Sequence, residues 1–581
     1  MAKPFDFTTD ETLVTDASKL TYPATDAERK DRWRKRLKYM TLERYVDLME
    51  QRDKSTVDSI KSKTNAQLEK EARELVLKAN NKLYGRIKAK FTEDERFNSY
   101  INVITNLMDP HTDYFAPVEK RAFDETLNGS FFGIGAQLQE QDGIIKIATI
   151  LTGGPAWKSG ELIANDIILK VAQGNDAPVD IAGYDVTDAV KLIRGDKGTI
   201  VKLTVKKQDG TVKVIALKRD EIVQDEGFAR SVIVNNGNDK IGYIYLPDFY
   251  FNYENINGHR CSEDVAKEVE KLKAEKVSGI VLDLRFNGGG GLYEVVQMVG
   301  MFVGKGPVVQ VKGRDDKPQV LEARDNKIIY DGPLAVMVNE GSASASEIFA
   351  AAIQDYKRGV IVGSTSTYGK GTVQKNVSLG KPVDFYSGRT EYGAVKLTFQ
   401  KFYRANGGST QLKGVAPDIV LPDIYEYQKF REKDNTSALP WDEIQKAPFS
   451  KWNGGVDLDA VSKDETTKLS SDKVFQAIDQ NTKWISKNAE APVSLNIEKY
   501  KQHQKEIKAT ADQLNGLIKL KEDMNIEVMA ADKDKFYNNP DKIKGERYIA
   551  WLKNLKTDLY LNQTAKIVSD MAHAQVQTAA K

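Results

Sequence analysis

The chain has 581 residues, of which 85 are basic and 83 acidic, for a formal net charge of +2. This length predicts several domains of about 100–200 residues each, and the balanced charge gives no support for a nucleic-acid partner. No stretch approaches the roughly 18–20 apolar residues of a membrane span. The single cysteine, Cys261, excludes an internal disulfide and a cysteine-based metal site. With only four histidines as well, we expect no metal centre and no cofactor.

The first residues, Met1-Ala2-Lys3-Pro4, lack the basic segment and apolar stretch of a secretory signal. Two interpretations stay open: the protein is cytoplasmic, or a leader has been removed. One unpaired cysteine is compatible with the cytoplasm and with a periplasm.

The N-terminal part reads as helical. Residues 26–90 are rich in Lys, Arg, Glu and Leu, with apolar residues at helical spacing. A further helix near residues 97–108 ends before the motif Asp109-Pro110-His111-Thr112-Asp113-Tyr114, because proline disfavours helix in the residue before it. We predict an N-terminal helical domain over residues 1–127.

The next segment has the pattern of a small barrel. Strands are predicted at residues 133–138, 144–147, 166–171, 201–205 and 212–217, with a hairpin turn at Asp209-Gly210 and a helix over 185–194. Together with a short helix after Pro155, this order predicts a barrel with two helices over residues 128–221. The segment Gly133-Ile134-Gly135-Ala136 resembles the carboxylate-binding loop of a PDZ domain, although a glycine-containing strand turn is the plainer interpretation.

Residues 222–425 alternate strands with helices, which predicts an α/β layer with a largely parallel sheet. The predicted strands at 279–284 and 333–338 are each followed by a glycine- or serine-rich turn and then a helix. Ligand sites gather at the carboxyl ends of such strands. Residues 426–581 are again charged and helical, with long helical stretches at 499–521 and 548–574.

The serine-rich turn Gly341–Glu347 places a serine beside the N-terminal amides of a helix. Ser342, Ser344 and Ser346 are all candidates for a nucleophile, and a tightly packed helix entry is the plainer alternative. Lys370 follows Ser344 after 26 residues, between two glycines. A neutral, buried lysine can take the proton of a serine hydroxyl, and the uncharged Gln374 can orient the amine without restoring its charge.

The glycine run Gly288–Gly291 exposes backbone amides after a strand, as an oxyanion hole requires. Gly290 is a candidate donor of one amide, and Ala345, next to the central serine, of the second. A flexible turn is the alternative. A phosphate loop is disfavoured, because no Gly-Lys-Ser or Gly-Lys-Thr follows the glycines.

Taken in order, these motifs resemble those of the carboxy-terminal processing peptidases, and within them the tail-specific proteases of bacterial periplasms. The segments that carry the resemblance lie at residues 109–114, 133–136, 153–156, 282–290, 342–350, 369–374 and 414–418. The resemblance implies an α/β multidomain fold, in which a ClpP/crotonase-like α/β protease core at 222–425 has an inserted PDZ domain at 128–221 and helical N- and C-terminal domains at 1–127 and 426–581.

The resemblance also implies roles for individual residues. It makes Ser344 the nucleophile, Lys370 the general base and Gln374 its support. It assigns the oxyanion amides to Gly290 and Ala345, and a structural role to Asp355. The peptide-binding residues of the PDZ domain fall on Gly133, Ile134, Gly135 and Ala136.

The expected activity is that of a serine endopeptidase with a Ser-Lys dyad, which recognises unfolded or apolar C-terminal tails and degrades or processes the protein. The expected location is the periplasm after removal of a leader, and a lipoprotein adaptor is a candidate partner. Two alternative functions remain. One is a non-catalytic PDZ adaptor that binds protein tails. The other is a crotonase-like acyl-CoA site, which no adenine- or phosphate-binding motif in the sequence supports.

Overall fold

The computed structural model describes residues 1–579 apart from 91, 129, 142–143, 152, 182–183, 224–226, 253–257, 324–326, 381–391 and 540–541. The chain separates into two units, Met1–Arg96 with Ala477–Leu517, and Phe97–Gln476 with Ile518–Lys581. The four-domain division drawn from the sequence stays a prediction.

Helices alternate with strands through most of the second unit and dominate the first. Among the described residues they are, in chain order, α1 Asp26–Lys54, α2 Asp58–Lys61, α3 Asn65–Lys90, α4 Glu93–Asn106, α5 Pro117–Asn128, α6 Pro155–Ser159, α7 Val186–Ile193, α8 Cys261–Ala274, α9 Leu292–Val303, α10 Ala345–Asp355, α11 Leu458–Ser471, α12 Lys473–Ala489, α13 Ile497–Leu517, α14 Ala530–Asp532, α15 Lys542–Lys556 and α16 Leu559–Ala579. In this described part no helix is long and apolar enough to span a bilayer.

The strands fall into several sheets. Over the same residues they are β1 Thr12–Leu13, β2 Asp113–Phe115, β3 Ser130–Gly133, β4 Ala136–Gln141, β5 Ile144–Ile150, β6 Ile167–Gln173, β7 Val179–Asp180, β8 Ile200–Lys206, β9 Val212–Lys218, β10 Asp220–Val223, β11 Arg230–Asn236, β12 Asp239–Tyr245, β13 Gly279–Asp283, β14 Gly306–Lys312, β15 Gln319–Ala323, β16 Leu334–Val338, β17 Val360–Gly363, β18 Thr372–Ser378, β19 Ala394–Arg404, β20 Ile419–Val420, β21 Val493–Ser494 and β22 Asn525–Glu527.

The first unit is built on the apolar face of α1. Leu42, Tyr45 and Val46 of this helix are buried together with residues of α3 and with Phe7 and Tyr500. Their spacing is that of one side of a helix, and β1 pairs with β21 in the same unit. The expected N-terminal helices are confirmed.

The small barrel is present in the second unit, with strand order β4-β5-β6-β8-β9 and β7 paired with β6. Burial alternates along β8, where Val201, Leu203 and Val205 are fully buried between exposed or half-buried neighbours, so that one face of the sheet forms the core. The strand expected to open at residue 133 begins at Ala136 instead. Gly135 has φ of +70°, a turn conformation that interrupts β3 and β4.

A seven-stranded sheet with the order β20-β17-β16-β13-β12-β11-β22 forms the centre of the second unit. The pairs from β20 through to β12 are parallel, and β11 is antiparallel to both β12 and β22. Every residue of β13 and of β16 is buried, as expected for parallel strands covered on both faces. The largely parallel sheet predicted from the sequence is confirmed.

The C-terminal segment contributes more to this sheet than its helical pattern indicated. Strand β22 joins the edge of the sheet beside β11. A Cβ atom at Gly279 of β13 would lie 2.2 Å from Cγ1 of Val568, so α16 approaches the central strand where it has no side chain. The helical stretch expected over 548–574 is divided, because Asp558 accepts a hydrogen bond from the Leu561 amide at 3.0 Å and caps α16.

A second sheet, ordered β15-β14-β19-β18 with β2 also paired to β19, lies in the same unit. Strand β18 begins two residues after Lys370, and β2 begins within the motif that starts at Asp109. This sheet therefore connects two segments that are more than 250 residues apart in the chain.

Candidate active site

The serine turn joins the carboxyl end of β16 to α10. Ser344 precedes the helix with φ of +57° and ψ of −110°, a backbone conformation that costs free energy in a residue with a side chain. Strained turns of this kind between a strand and a helix hold nucleophilic serines away from the sheet. The Ser344 amide donates a hydrogen bond of 2.8 Å to Glu347 Oε2, which fixes the turn.

The three serines that the sequence could not separate lie in different surroundings. Ser342 is buried, and its hydroxyl donates to the Leu284 carbonyl oxygen at 2.8 Å. Ser346 is also buried, and its hydroxyl donates to the Asn287 carbonyl oxygen at 2.8 Å. Ser344 is half-buried and lines a cleft. Of the three, Ser344 therefore has the hydroxyl group that a substrate can reach.

The glycine turn after β13 lies against the serine turn. Gly289 and Gly290 have φ of +105° and +137°, and a Cβ atom on Gly289 would lie 2.7 Å from Ser344 Cβ. Gly290 is held against Phe249, because the Phe249 amide donates to the Gly289 carbonyl oxygen and the Gly291 amide donates to the Phe249 carbonyl oxygen, both at 2.8 Å. Only glycine allows both approaches.

Two residues at the junction of these turns, Gly290 and Ala345, line the cleft. Within the described ranges, neither the Gly290 amide nor the Ala345 amide donates a hydrogen bond to another residue. Ala345 is the first residue of α10, where the helix dipole adds positive potential. Donors of this kind stabilise a negatively charged oxygen without any reorganisation.

Lys370 enters the same cleft from the segment before β18. Its carbonyl oxygen accepts from the Thr410 hydroxyl at 2.7 Å, and the neighbouring Gly371 amide donates to Gln411 Oε1 at 2.7 Å. Burial lowers the pKa of the Lys370 ammonium to about 8, and the positive charge of Lys396 acts in the same direction. At pH 7 about a tenth of this amine is then uncharged and able to accept a proton, and the fraction rises as the pH increases.

The cleft has a volume of about 660 Å³ and brings the sequence-predicted residues together. Ser344, Ala345, Gly290, Lys370 and Gln374 all line it. The remaining wall is largely apolar, and its apolar side chains are Phe123, Phe251, Leu292, Ile348, Val373 and Phe402. The Gln374 amide nitrogen donates to the hydroxyl groups of Thr372 and Thr398, both at 2.9 Å.

The predicted peptide-binding loop, Gly133–Ala136, lies between β3 and β4 of the barrel. The Ile134 carbonyl oxygen accepts from the Ala156 amide at 2.7 Å, and the Gly135 carbonyl oxygen accepts from the Leu151 amide at 2.8 Å. Strand β4, which continues from the loop, is at the end of its sheet among the described strands. An edge strand beside a turn is the arrangement that binds a peptide by strand addition.

Comparison with known proteins agrees with this architecture. Four family models match successive parts of the chain: "Tail specific protease N-terminal domain" at residues 1–118, "PDZ domain" at 146–207, "Peptidase family S41" at 240–421 and "C-terminal domain of tail specific protease" at 425–573. The "Carboxy-terminal processing protease CtpA" of Bacillus subtilis is 33% identical over 368 residues, which cover 61% of this chain and 71% of that protein. The chain belongs to the carboxy-terminal processing peptidases of family S41.

The likeness extends to the tail-specific branch of these peptidases. The "Tail-specific protease" of Haemophilus influenzae is 36% identical over 427 residues, which cover 70% of this chain and 60% of that protein. The chain thus spans less than two thirds of the length of that relative. Among solved structures, the PDZ domain of a carboxy-terminal protease from Vibrio cholerae, in complex with peptide, is 39% identical, with a TM-score of 0.16, covering 16% of this chain and 99% of that chain.

Sequence reasoning missed one residue of this candidate site. Glu347 is fully buried, and its Oε2 accepts from the Ser344 amide at 2.8 Å and the Lys370 amide at 3.0 Å. Its Oε1 accepts from the Gly369 amide at 2.7 Å and the Thr367 hydroxyl at 2.6 Å. Burial raises the pKa of Glu347 to about 8, against the opposing effect of these hydrogen bonds. The Glu347 carboxyl group connects the serine turn to the segment that contains Lys370. In the sequence, only its position three residues after Ser344 indicated this role.

Asp355 lies at the far end of α10. Its carboxylate accepts from the Arg404 guanidinium at 2.6 Å and from the Asn406 amide at 2.8 Å. Over the described residues, no group of three or more His, Cys, Asp or Glu side chains is arranged to hold a metal ion.

Proposed function

We propose that the chain is a serine endopeptidase in which Ser344 is the nucleophile and Lys370 the general base. The observation that supports this most strongly is the shared cleft, into which five residues from three separate segments converge. The lowered pKa of Lys370, about 8, suits a base that must accept a proton near neutral pH.

The reaction begins when the neutral Lys370 amine takes the proton of the Ser344 hydroxyl, whose oxygen attacks the carbonyl carbon of a peptide bond. The negative charge that develops on the carbonyl oxygen is stabilised by the amides of Gly290 and Ala345. The Lys370 ammonium then gives its proton to the leaving amine, the C–N bond breaks, and an acyl-enzyme remains. Water then attacks the ester carbonyl carbon, with its proton passing to Lys370. The bond between this carbon and the Ser344 oxygen breaks, the product leaves with a new C-terminal carboxyl group, and the Lys370 ammonium returns the proton to the serine oxygen.

Substrate selection belongs to the PDZ domain in this proposal. The Gly133–Ala136 amides hold the C-terminal carboxylate of a protein, and the tail pairs with β4 as an added strand. Apolar tails are the preferred ligands in this proposal. The substrates are then proteins with unfolded or apolar C-termini, in the periplasm of a bacterium, and a lipoprotein adaptor is a candidate partner that presents them.

The test compares wild type with Ser344→Ala and Lys370→Ala on an unfolded protein that ends in apolar residues, with product masses read by mass spectrometry. Lys375→Ala is the matched control, because Lys375 is an exposed lysine in β18, the strand that Lys370 precedes. We expect cleavage by wild type and Lys375→Ala, and loss of cleavage in the other two variants with their thermal unfolding unchanged.

Undiminished cleavage by Ser344→Ala would contradict the mechanism. Tail selection is tested on the same protein ending in two aspartates, which we expect to be cleaved more slowly. A tail-binding adaptor without activity predicts instead that all four proteins bind the apolar tail and none cleaves it.

A further inference from the structure

The first four residues of the 109–114 motif, Asp109-Pro110-His111-Thr112, have no part in the mechanism above, yet chains of hydrogen bonds connect them to the segment that carries Lys370 and Gln374. Asp109 is buried, with 4% of its surface exposed, and its carboxylate accepts three hydrogen bonds. The donors are the His111 amide at 2.9 Å, the Thr112 hydroxyl at 2.5 Å and the Thr398 hydroxyl at 2.9 Å. Two of these donors belong to the motif itself, and the third belongs to β19.

The Thr398 hydroxyl connects Asp109 to Gln374. It donates its single hydrogen to Asp109 Oδ1, so towards Gln374 it can only accept. The Gln374 amide nitrogen accordingly donates to it at 2.9 Å, and its other hydrogen goes to Thr372 at 2.9 Å. If the Gln374 amide were turned over, its oxygen would face a hydroxyl that has no hydrogen left to give. The Asp109 carboxylate therefore decides which way the Gln374 amide points.

The orientation of the Gln374 amide determines which of its atoms is available to Lys370. With both hydrogens of Nε2 committed to threonines, Oε1 is the acceptor left for the cleft that Lys370 also lines. An amide oxygen can accept a hydrogen bond from the protonated amine and hold its direction while the lysine cycles between its two charge states.

A second connection from the same motif reaches the other side of Lys370. His111 Nε2 lies 2.8 Å from Glu432 Oε2, and Glu432 Oε1 accepts from the Gln411 amide nitrogen at 2.8 Å. Gln411 Oε1 in turn accepts from the Gly371 amide at 2.7 Å. The backbone after Lys370 and the side chain of Gln374 are thus both connected to one loop of four residues.

We propose that Asp109 is a positioning residue for the proposed general base, and that it acts through Thr398 on the orientation of the Gln374 amide. This rests on the proposed Ser344–Lys370 mechanism and adds to it a dependence on residues of the 109–112 loop. Neither Asp109 nor Thr398 is among the residues that line the cleft, so their effect on the reaction is indirect.

The electrostatics of Lys370 give the proposal a signature that a purely structural role would not produce. The carboxyl groups of Glu432, Glu347 and Asp109 raise the pKa of Lys370, whereas burial and Lys396 lower it. Removing the Asp109 charge lowers the pKa, and losing the Gln374 acceptor removes a stabilising contact of the protonated amine and acts in the same direction. The rising limb of the pH–rate profile should therefore move to lower pH while the maximal rate falls.

The experiment measures kcat, KM and the pH profile of full-length Asp109→Asn, Thr398→Val and Thr398→Ser on one unfolded substrate protein. Asp532→Asn is the matched control, because Asp532 is a buried carboxylate that accepts two hydrogen bonds from Lys271 and does not line the cleft. Thr398→Val keeps the shape of the side chain and removes the hydroxyl, and Thr398→Ser restores it.

We expect kcat to fall about tenfold in Asp109→Asn and in Thr398→Val, the loss of about one buried hydrogen bond, with KM changed less than twofold. The rising limb should shift to lower pH in both, and Thr398→Ser should recover most of the rate. The double variant should lose little more than either single variant, because the two residues act in one chain of contacts. Asp532→Asn should lower the unfolding temperature without moving the pH profile.

The proposal is wrong if Thr398→Val keeps the wild-type kcat and pH profile, or if the variants alter only KM or only the unfolding temperature. Thr398→Val answers the question even if Asp109→Asn does not fold. Failure of the mechanism itself is seen separately, as cleavage by Ser344→Ala in the same assay.

Discussion

The turn at Gly288–Gly291 and the loop at Gly133–Ala136 both contain glycines, both bind a ligand through backbone amides in the proposed mechanism, and they are held in different ways. The first turn is fixed by distant segments: Phe249 bonds on both sides of Gly290, and Ser344 packs on Gly289. In the second, Ile134 and Gly135 are bonded to Ala156 and Leu151, within the same barrel, and Gly133 pairs with Asp220 of β10. A turn held from several directions keeps its geometry without ligand, as an oxyanion site needs.

Gly290→Ala is the most direct test of the role proposed for the first turn. A Cβ atom there would lie 2.3 Å from the Phe249 carbonyl oxygen, at a φ of +137° that disfavours side chains. We expect the amide to be displaced and kcat to fall about 100–1000-fold, the range for loss of an oxyanion donor. Binding of an apolar tail peptide, followed by fluorescence anisotropy, should not change.

The matched control is Gly288→Ala, because a Cβ atom on Gly288 meets nothing within 4 Å. It should cleave at close to the wild-type rate. Equal losses in the two variants would mean that the whole run, rather than the Gly290 amide, matters for the rate.

Glu347→Gln tests how far the serine turn depends on its connection to the lysine segment. Each carboxyl oxygen accepts from at least one backbone amide, so whichever way the glutamine side chain turns, its NH₂ group meets an N–H donor. A buried donor without an acceptor costs about 1–3 kcal/mol, and we expect kcat to fall about 10–100-fold with a lower unfolding temperature. Wild-type kcat in this variant would show that the connection is dispensable.

Gly135→Ala is the corresponding change in the PDZ loop. Its φ of +70° costs an alanine about 1–2 kcal/mol, and the Cβ atom would lie 3.0 Å from Gly154 Cα. We expect tail affinity to fall about tenfold, while cleavage of a short peptide without a tail stays unchanged. Gly153→Ala has a similar φ of +80° but open space around the Cβ atom, so it separates backbone strain from contact.

The smallest effect concerns pH and Lys396. The pKa of Lys370 is about 8, so the fraction of neutral amine increases as the pH rises through that value. We therefore expect kcat/KM to rise about tenfold from pH 7 to its plateau. Lys396→Met removes a positive charge that lowers this pKa, so the rising limb should move to higher pH, opposite to the shift expected for Asp109→Asn. A rate that is flat from pH 6 to 10 would contradict a titrating lysine base.

The sequence predicted the helices and strands more completely than it predicted the contacts of the candidate site. Alternating apolar residues predicted strands such as β8, and continuous apolar runs predicted the buried strands β13 and β16. Strand β22 was missed, because three residues within a charged region have no periodicity to detect. The break before α16 was missed too, since a single aspartate cap looks like any other surface charge until its amide partner is known.

The sequence by itself determined which chemical groups are present: a serine before a helix, glycines after a strand and a lysine between glycines. Only the tertiary structure decided which serine faces the cleft. The hydroxyl groups of Ser342 and Ser346 donate to the carbonyl oxygens of Leu284 and Asn287, which lie 58 and 59 positions earlier in the chain. The same is true of Glu347 and of the Asp109–Thr398 contact, which spans 289 positions. Local patterns report the conformation of a segment, whereas hydrogen bonds between buried side chains depend on which segments the packed sheets bring together.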